Sequence, residues 1–384
     1  MRFIPDLAAA LPVIAAATIA AALLALLLTP LVRHVARRLD VVDRPERRRV
    51  NVRPIPRGGG LAVAAAFLAV ASVLVWLGRG AGISGVGAAI ETRQLVALLL
   101  GAAAAAALGA IDDYAQLRAR WQLLGQLALA LGAVGLGIGV GFVNNPFGPG
   151  VIRLDGLVAV GFTVLWIVGM MNSINFIDGL DGLSSGVGLI AAATLGLISL
   201  TTVVAQPLVA ALCFTLAGAL LGFLRWNFHP ASIFIGTSGV MFIGYTLALL
   251  SILGTAKVAV ALLVLGVPII DTFWIIVRRL ASGRSPFTPD RGHIHHRLLD
   301  LGLSHRQTVL LIYAICLVLA GLTFVLSGTG QVYAFVGIVV VSGLTLFVLT
   351  RRSLGGDGLS ADSYAANETQ PPDDARPAPG RRPT

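Results

Sequence analysis

Four amide and carboxylate residues recur at steps of three in the segment NSINFIDGLDGL: Asn172, Asn175, Asp178 and Asp181. On a helix or a 3₁₀ extension this spacing stacks them along one face. Gly179 and Gly182 follow the two aspartates, and glycine lets the backbone approach a ligand closely. The combination suits a divalent ion carrying a diphosphate. A glycine-rich turn whose Asn and Asp cap neighbouring helices uses the same residue types, although capping rarely needs four of them in register. A second pair, Asp112 and Asp113, closes the apolar run LLLGAAAAAALGAI. Adjacent carboxylates at a membrane boundary repel and call for a cation or a donor; a solvated helix end is the plain alternative.

Three of the chain's six histidines, His293, His295 and His296, fall within four residues and are flanked by Arg291 and Arg297. The spacing matches neither the HExxH nor the CxxC zinc pattern. Imidazoles interleaved with guanidinium groups fit an anionic phosphate ester, by hydrogen bonds and charge neutralisation. A solvated basic loop is the other reading. Asp271 lies several residues inside an apolar run, where a carboxylate is a functional candidate, a partner for a nearby Arg or Asn, or a structural hydrogen-bonding group. His34, His229 and His305 show no partner in the sequence and are expected at the membrane interface. The run Gly58 to Gly60 lacks the context of a dinucleotide-binding turn; it suits close packing of a helix start or approach to a phosphate.

These groups need a scaffold, and composition names its class. Apolar residues make up 57% of the 384 and charged residues 12%, with a mean hydropathy of +0.88. Soluble domains carry about 25% charged residues, so a soluble enzyme, a secreted module and a nucleic-acid-binding domain are all excluded. The expected fold is all-α, a polytopic integral membrane protein of about eleven transmembrane helices. Apolar runs cover 7–30, 58–78, 95–111, 122–142, 156–171, 183–204, 207–224, 231–253, 258–277, 308–326 and 331–350. The first is too long for the apolar core of a signal peptide and is read as retained. Cys213 and Cys316 sit inside apolar runs as small core residues.

An odd number of spans puts the termini on opposite sides. Of the 28 basic residues, 23 fall on one side, nine of them from Arg33 to Arg57. The positive-inside rule makes that side cytoplasmic, with the N-terminus outside and the C-terminus inside. Only Asp6, Glu91 and Asp155 of the 18 acidic residues lie on the other side, an asymmetry that topology does not require. The expected organisation is a membrane domain over 1–350, with cytoplasmic active-site loops at 31–57, 112–121, 172–182, 225–230 and 278–307. A disordered cytoplasmic tail, rich in Pro, Gly and polar residues, is expected over 351–384.

Together the segments PIPRGGG, DDYAQL, NSINFIDGLDGL and GHIHHRLLDLG resemble the polyprenyl-phosphate N-acetylhexosamine-1-phosphate transferases, from about residue 30 to residue 310. The resemblance implies a plasma-membrane enzyme that uses magnesium, with manganese as a substitute, and works on the cytoplasmic face. It would transfer a sugar-1-phosphate from a UDP-sugar to a polyprenyl phosphate and release UMP, the first membrane step of a cell-envelope polysaccharide. The HIHH form is similar to the branch using UDP-N-acetylglucosamine; the phospho-muramoyl-pentapeptide branch, with a plain histidine triplet, is the alternative. The resemblance gives Asp112, Asp113, Asp178 and Asp181 catalytic roles, and gives Asn172, Asn175, Arg291, His293, His295 and His296 substrate contacts. It implies Asp178, Asn175 and Thr237 as metal ligands. Thr237, in FIGTSGV over 234–240, stands where the family has a metal-associated aspartate, and Gln122 stands near a common lysine. Lipid and a second copy of the chain are further expected partners, nucleic acid is not. A flippase is the rival class, with Asp271 as its one midplane carboxylate; a relative that binds without turnover is the other, supported by Thr237.

Overall fold

The computed structural model describes residues 3–4, 7–44, 54–80, 90–145, 147–148, 150–254, 258–281, 294–326 and 329–341. Two compact units divide the chain, 1–336 and 337–384; residues 337–341 of the second are described and are helical. The protein is an all-α polytopic membrane protein. Among the described residues, seven of the expected spans are helices long and apolar enough to cross a bilayer: α1 (Leu7–Arg38), α2 (Gly60–Gly80), α3 (Thr92–Ala115), α5 (Gly156–Ile177), α7 (Pro207–Asn227), α8 (Gly236–Leu253) and α12 (His305–Val325). Between them lie the shorter α4 (Ala119–Gly135) and α6 (Leu183–Ser199), and Thr329–Val341 is a further short apolar helix.

The run expected as one span over 258–277 is two helices, α9 (Val258–Val264) and α10 (Gly266–Ala281). Pro268 explains the break: it has no N–H to donate back into a continuing helix, but it fits the first turn of a new one. Short antiparallel pairs interrupt the helical order. The strand β1 (Val42–Asp43) pairs with β2 (Ile55–Pro56), and β3 (Phe142–Asn144) with β4 (Val151–Arg153).

At the centre stands α8, buried along its whole length except for Thr237 and Ile252, with α2, α3, α5, α6 and α7 packed around it. Small residues allow that density, as they do between membrane helices generally. A Cβ on Gly60 would lie 2.0 Å from the Gly239 backbone, one on Gly109 2.3 Å from the Thr237 carbonyl, and one on Gly244 2.5 Å from Met171 Cα. The glycine run read as a close-packing device therefore is one: Gly59 N–H and Gly60 N–H donate to the carbonyls of Phe234 and Ile235, which seats the start of α2 on the start of α8. Polar cross-ties complete the bundle, from Tyr245 Oη to the Ala97 carbonyl at 2.9 Å and from Trp166 Nε1 to Ser251 Oγ at 3.1 Å.

Candidate active site

Helices running in opposite senses bring the ends of α1, α3, α5 and α7 to the same end of the bundle as the starts of α8 and α12. A cavity of about 840 Å³ opens there. Its walls carry Asp113, Asn175, Asp178, Asp181 and Thr237 from the predicted set. With them stand Arg37, Arg57, Asn227, His229 and His305, which lie in the active-site loops expected from the sequence but were given no individual role.

The Asp112–Asp113 pair is split by the helix that carries it. Asp112 faces away from the cavity: Leu117 N–H and Gln122 Nε2 donate to its Oδ1 at 2.9 and 2.7 Å, which closes the turn into α4. Gln122, standing near the family's lysine, thus holds an aspartate. Asp113 turns inward and caps α8, accepting from the backbone N–H groups of Thr237 at 2.8 Å and Ser238 at 3.0 Å. A carboxylate is favoured there because the first N–H groups of a helix have no partner within it. Gly236 makes the approach possible, with φ at +72° and room for no Cβ: one would sit 2.6 Å from Asp113 Oδ2. Thr237, whose main chain is fixed in this way, keeps its side chain on the cavity wall.

The step-of-three cluster does not keep one face. On a helix with 3.6 residues per turn each step of three drifts by about 60°. Asn172 is accordingly turned into the packing, where its Nδ2 donates to Gln126 Oε1 at 2.6 Å and to the Val168 carbonyl at 2.8 Å. Asn175 and Asp178 reach the cavity. The helix ends at Ile177, so Asp178 is its C-cap and Asp181 belongs to the following turn. Ser184 Oγ donates to Asp178 Oδ1 at 2.5 Å. Burial pushes the Asp178 carboxyl up to about 7 despite that hydrogen bond; the charges of Asp113 and Asp181 add to the rise and Arg57 opposes it. Arg57 is itself paired with Asp43 at 2.9 Å across the β1–β2 hairpin.

Asp181 gathers two histidines that the sequence left at the interface. Its Oδ2 lies 2.7 Å from His229 Nδ1 and accepts from Ala231 N–H at 3.0 Å, while its own N–H donates to His305 Nε2 at 2.9 Å. The imidazoles stack with centroids 4.1 Å apart. Of the histidine motif, Arg291 and His293 lie outside the described residues, as does the His296 side chain. Its backbone continues as α11 (Ile294–Asp300), whose first N–H donates to Asp271 Oδ1 at 2.9 Å. Asp271 therefore holds the motif by a backbone hydrogen bond. His295 is buried against Gly179: a Cβ on that glycine would lie 2.1 Å from His295 Nε2. That glycine, noted for ligand approach, admits an imidazole from the motif.

A hard divalent cation is the group this family resemblance implies, and the donor set can be tested for it. Asp178, Asn175 and Thr237 offer a carboxylate, an amide and a hydroxyl among the groups that line the cavity. All-oxygen donors fit magnesium, and a carboxylate whose burial disfavours its charge gains from a cation beside it. Among the described residues, Asp181, His229 and His305 stand close enough together to hold a metal, with two nitrogens, a set that magnesium does not favour.

Residues 95–255, which carry both aspartate motifs and Thr237, match the family model described as Glycosyl transferase family 4. A Bacillus subtilis protein named probable undecaprenyl-phosphate N-acetylglucosaminyl 1-phosphate transferase is 39% identical over 308 residues, covering 79% of this chain and 82% of its own. The chain belongs to glycosyl transferase family 4. Within it, a Mycobacterium leprae relative named decaprenyl-phosphate N-acetylglucosaminephosphotransferase is 36% identical over 86% of this chain and 89% of its own. An Escherichia coli undecaprenyl-phosphate alpha-N-acetylglucosaminyl 1-phosphate transferase is 28% identical, over 76% and 77%.

Proposed function

We propose that the protein transfers N-acetylglucosamine-1-phosphate from UDP-N-acetylglucosamine to a polyprenyl phosphate, releasing UMP. The observation that carries this reading is the cavity itself: Asp178, Asn175 and Thr237 line it together with Arg37, Arg57 and His229 at one end of a membrane bundle. A diphosphate needs both sets of groups. Such a transfer is governed by positioning and charge neutralisation more than by covalent help from the protein.

In this mechanism the lipid phosphate oxygen attacks the β-phosphorus in line with departing UMP. Arg37 and Arg57 neutralise phosphate oxygens, and the Asp43 pairing fixes the Arg57 guanidinium at the cavity wall. Asp113 acts through α8: by capping its start it sets where Thr237 stands. Asp181 acts through the loop after α7, which it ties down at His229 and Ala231. Asp178 and Asn175, with Thr237, would hold magnesium, or manganese in its place, which supplies charge neutralisation to the diphosphate. The histidine motif, with Arg291 and His293, is assigned to the nucleotide sugar. The reading is tested by a donor labelled in its β-phosphate. Label should pass to the lipid fraction in the presence of polyprenyl phosphate, and label remaining with the nucleotide would mean transfer of the sugar alone.

Thr237 gives a graded test of the metal assignment. Thr237→Asp adds a negative charge to the oxygen cluster, so half-maximal activity should need less magnesium, by about tenfold for an added interaction of about 1.4 kcal/mol. Identical half-points for the two proteins would place Thr237 away from the metal. An inactive wild type restored by this substitution would favour the relative that binds without turnover.

The cavity is assigned to the cytoplasmic side because the basic residues of its end of the chain are concentrated there. Cysteines introduced at Arg47 and Ser285 should resist a membrane-impermeant thiol reagent in intact cells, and one at Gly148 should react. The reverse pattern would invert the orientation.

A further inference from the structure

Three groups from distant parts of the chain meet beside the oxygen cluster: Asp181 after α5, His229 after α7 and His305 at the start of α12. One donor atom from each lies within 4.8 Å of the other two. In a tetrahedral zinc site the ligand atoms stand about 3.4 Å apart, so the cluster closes on an ion with movements of up to about 1.5 Å. All three residues are half-buried.

The candidate donors are paired through Asp181, and an ion would replace these pairings. His229 Nδ1 faces Asp181 Oδ2, and the lone pair of His305 Nε2 is turned toward Asp181 N–H. The second nitrogen of His305, Nδ1, is buried and makes no hydrogen bond among the described residues. All three residues line the cavity, so water or a phosphate oxygen can take a fourth position. Asp113 and Asp178 share the cavity with Arg37 and Arg57, Arg57 being paired with Asp43, and the Arg306 guanidinium is engaged with the carbonyl of His229.

We propose that Asp181, His229 and His305 form a second cation site, for a divalent transition metal of the zinc type, separate from the oxygen cluster assigned to magnesium. Two imidazoles and one carboxylate are a borderline donor set, which zinc and cobalt favour and magnesium does not. Occupancy ties the turn after α5, the loop after α7 and the start of α12 to one ion at the mouth of the cavity. It also withdraws Asp181 from His229, the contact that holds the loop against the cavity.

The test uses Co²⁺ as a spectroscopic probe on the purified full chain, prepared without a polyhistidine tag. The expected result is the intense visible absorption of four-coordinate cobalt, saturating at one ion per chain, abolished by an equivalent of Zn²⁺ and unchanged by excess Mg²⁺. His229→Gln and His305→Gln should each weaken Co²⁺ binding at least about 100-fold, the upper range for loss of even an outer-shell partner. Asp178→Asn, which removes a nearby charge but no ligand, should weaken it far less than either glutamine substitution. His229→Cys guards against a folding artefact: it should retain the metal and add a thiolate-to-cobalt charge-transfer band. Absence of the visible bands in the wild type, displacement by Mg²⁺, or binding that survives both glutamine substitutions would overturn the proposal. None of these readouts depends on turnover, so the transferase reading stands or falls separately.

Discussion

Asp178→Asn lowers UMP release about 10³-fold and leaves thermal unfolding of the purified protein unchanged or slightly improved. The size follows from what the carboxylate does at its position: it is the one charged group of the oxygen cluster, and loss of a single preorganised electrostatic group in a dry site costs about 10² to 10³ in rate. The stability half follows from the pKa. Folding raises this carboxyl from 3.8 to about 7, so the native state binds its proton more tightly than the unfolded chain does. The ionised form therefore costs stability increasingly as pH rises from about 4 to 7, and the full cost is present above 7. A neutral amide of the same shape removes that cost. Asp113→Asn differs, because its amide would turn an NH₂ toward one of two backbone N–H groups now paired with oxygens. That protein should lose stability as well as activity, and melting curves of the two variants side by side separate the roles. Equal melting losses in both would refute the distinction.

The second large effect is expected at a residue with no chemistry of its own. Gly236→Ala places a methyl group 2.6 Å from Asp113 Oδ2 and 2.7 Å from the Gly58 N–H nitrogen, at a φ of +72° that costs an L-residue about 1–2 kcal/mol. The start of α8 must shift, and Thr237 moves with it. Displacement of a positioning group by about 1 Å is worth about 10²-fold in rate, so activity should fall by that order together with the melting temperature. Gly132→Ala, on α4 with nothing within 4 Å of the added carbon, is the control and should be neutral or mildly stabilising. Wild-type rate in Gly236→Ala would mean that the Asp113–Thr237 junction does not set the active geometry.

Which parts of this site could be read in the sequence depends on whether the signal is local. Carboxylates and amides within ten residues of one another announce themselves by spacing, and Asp113, Asn175, Asp178 and Asp181 line the cavity. The same spacing overstated their alignment: a step of three drifts around a helix, so Asn172 ends in a helix contact with Gln126, and Asp112 ends in a turn. His229 and His305 escaped notice because 75 residues separate them and nothing local marks either one. Only the fold, by bringing the end of α7 to the start of α12, stacks them on Asp181. Arg57 was within reach, since it precedes the glycine run that was noted for packing. It was counted instead among the arginines that set topology. The helix break before Pro268 was also legible, because proline marks a helix start as readily as an end. Hydropathy hides it, for the run is apolar on both sides.

The account's central claim is that a phosphosugar moves to a lipid phosphate at a charged, cation-holding cavity. Its most direct measurement is UMP release from UDP-N-acetylglucosamine by the purified chain, with and without polyprenyl phosphate, in magnesium and in chelator. The account predicts UMP, not UDP, as the nucleotide product, formed one-for-one with lipid-linked sugar diphosphate, strictly dependent on both the lipid phosphate and the metal, and lost in Asp178→Asn. Release of UDP, or UMP formed equally well without the lipid phosphate, would contradict it.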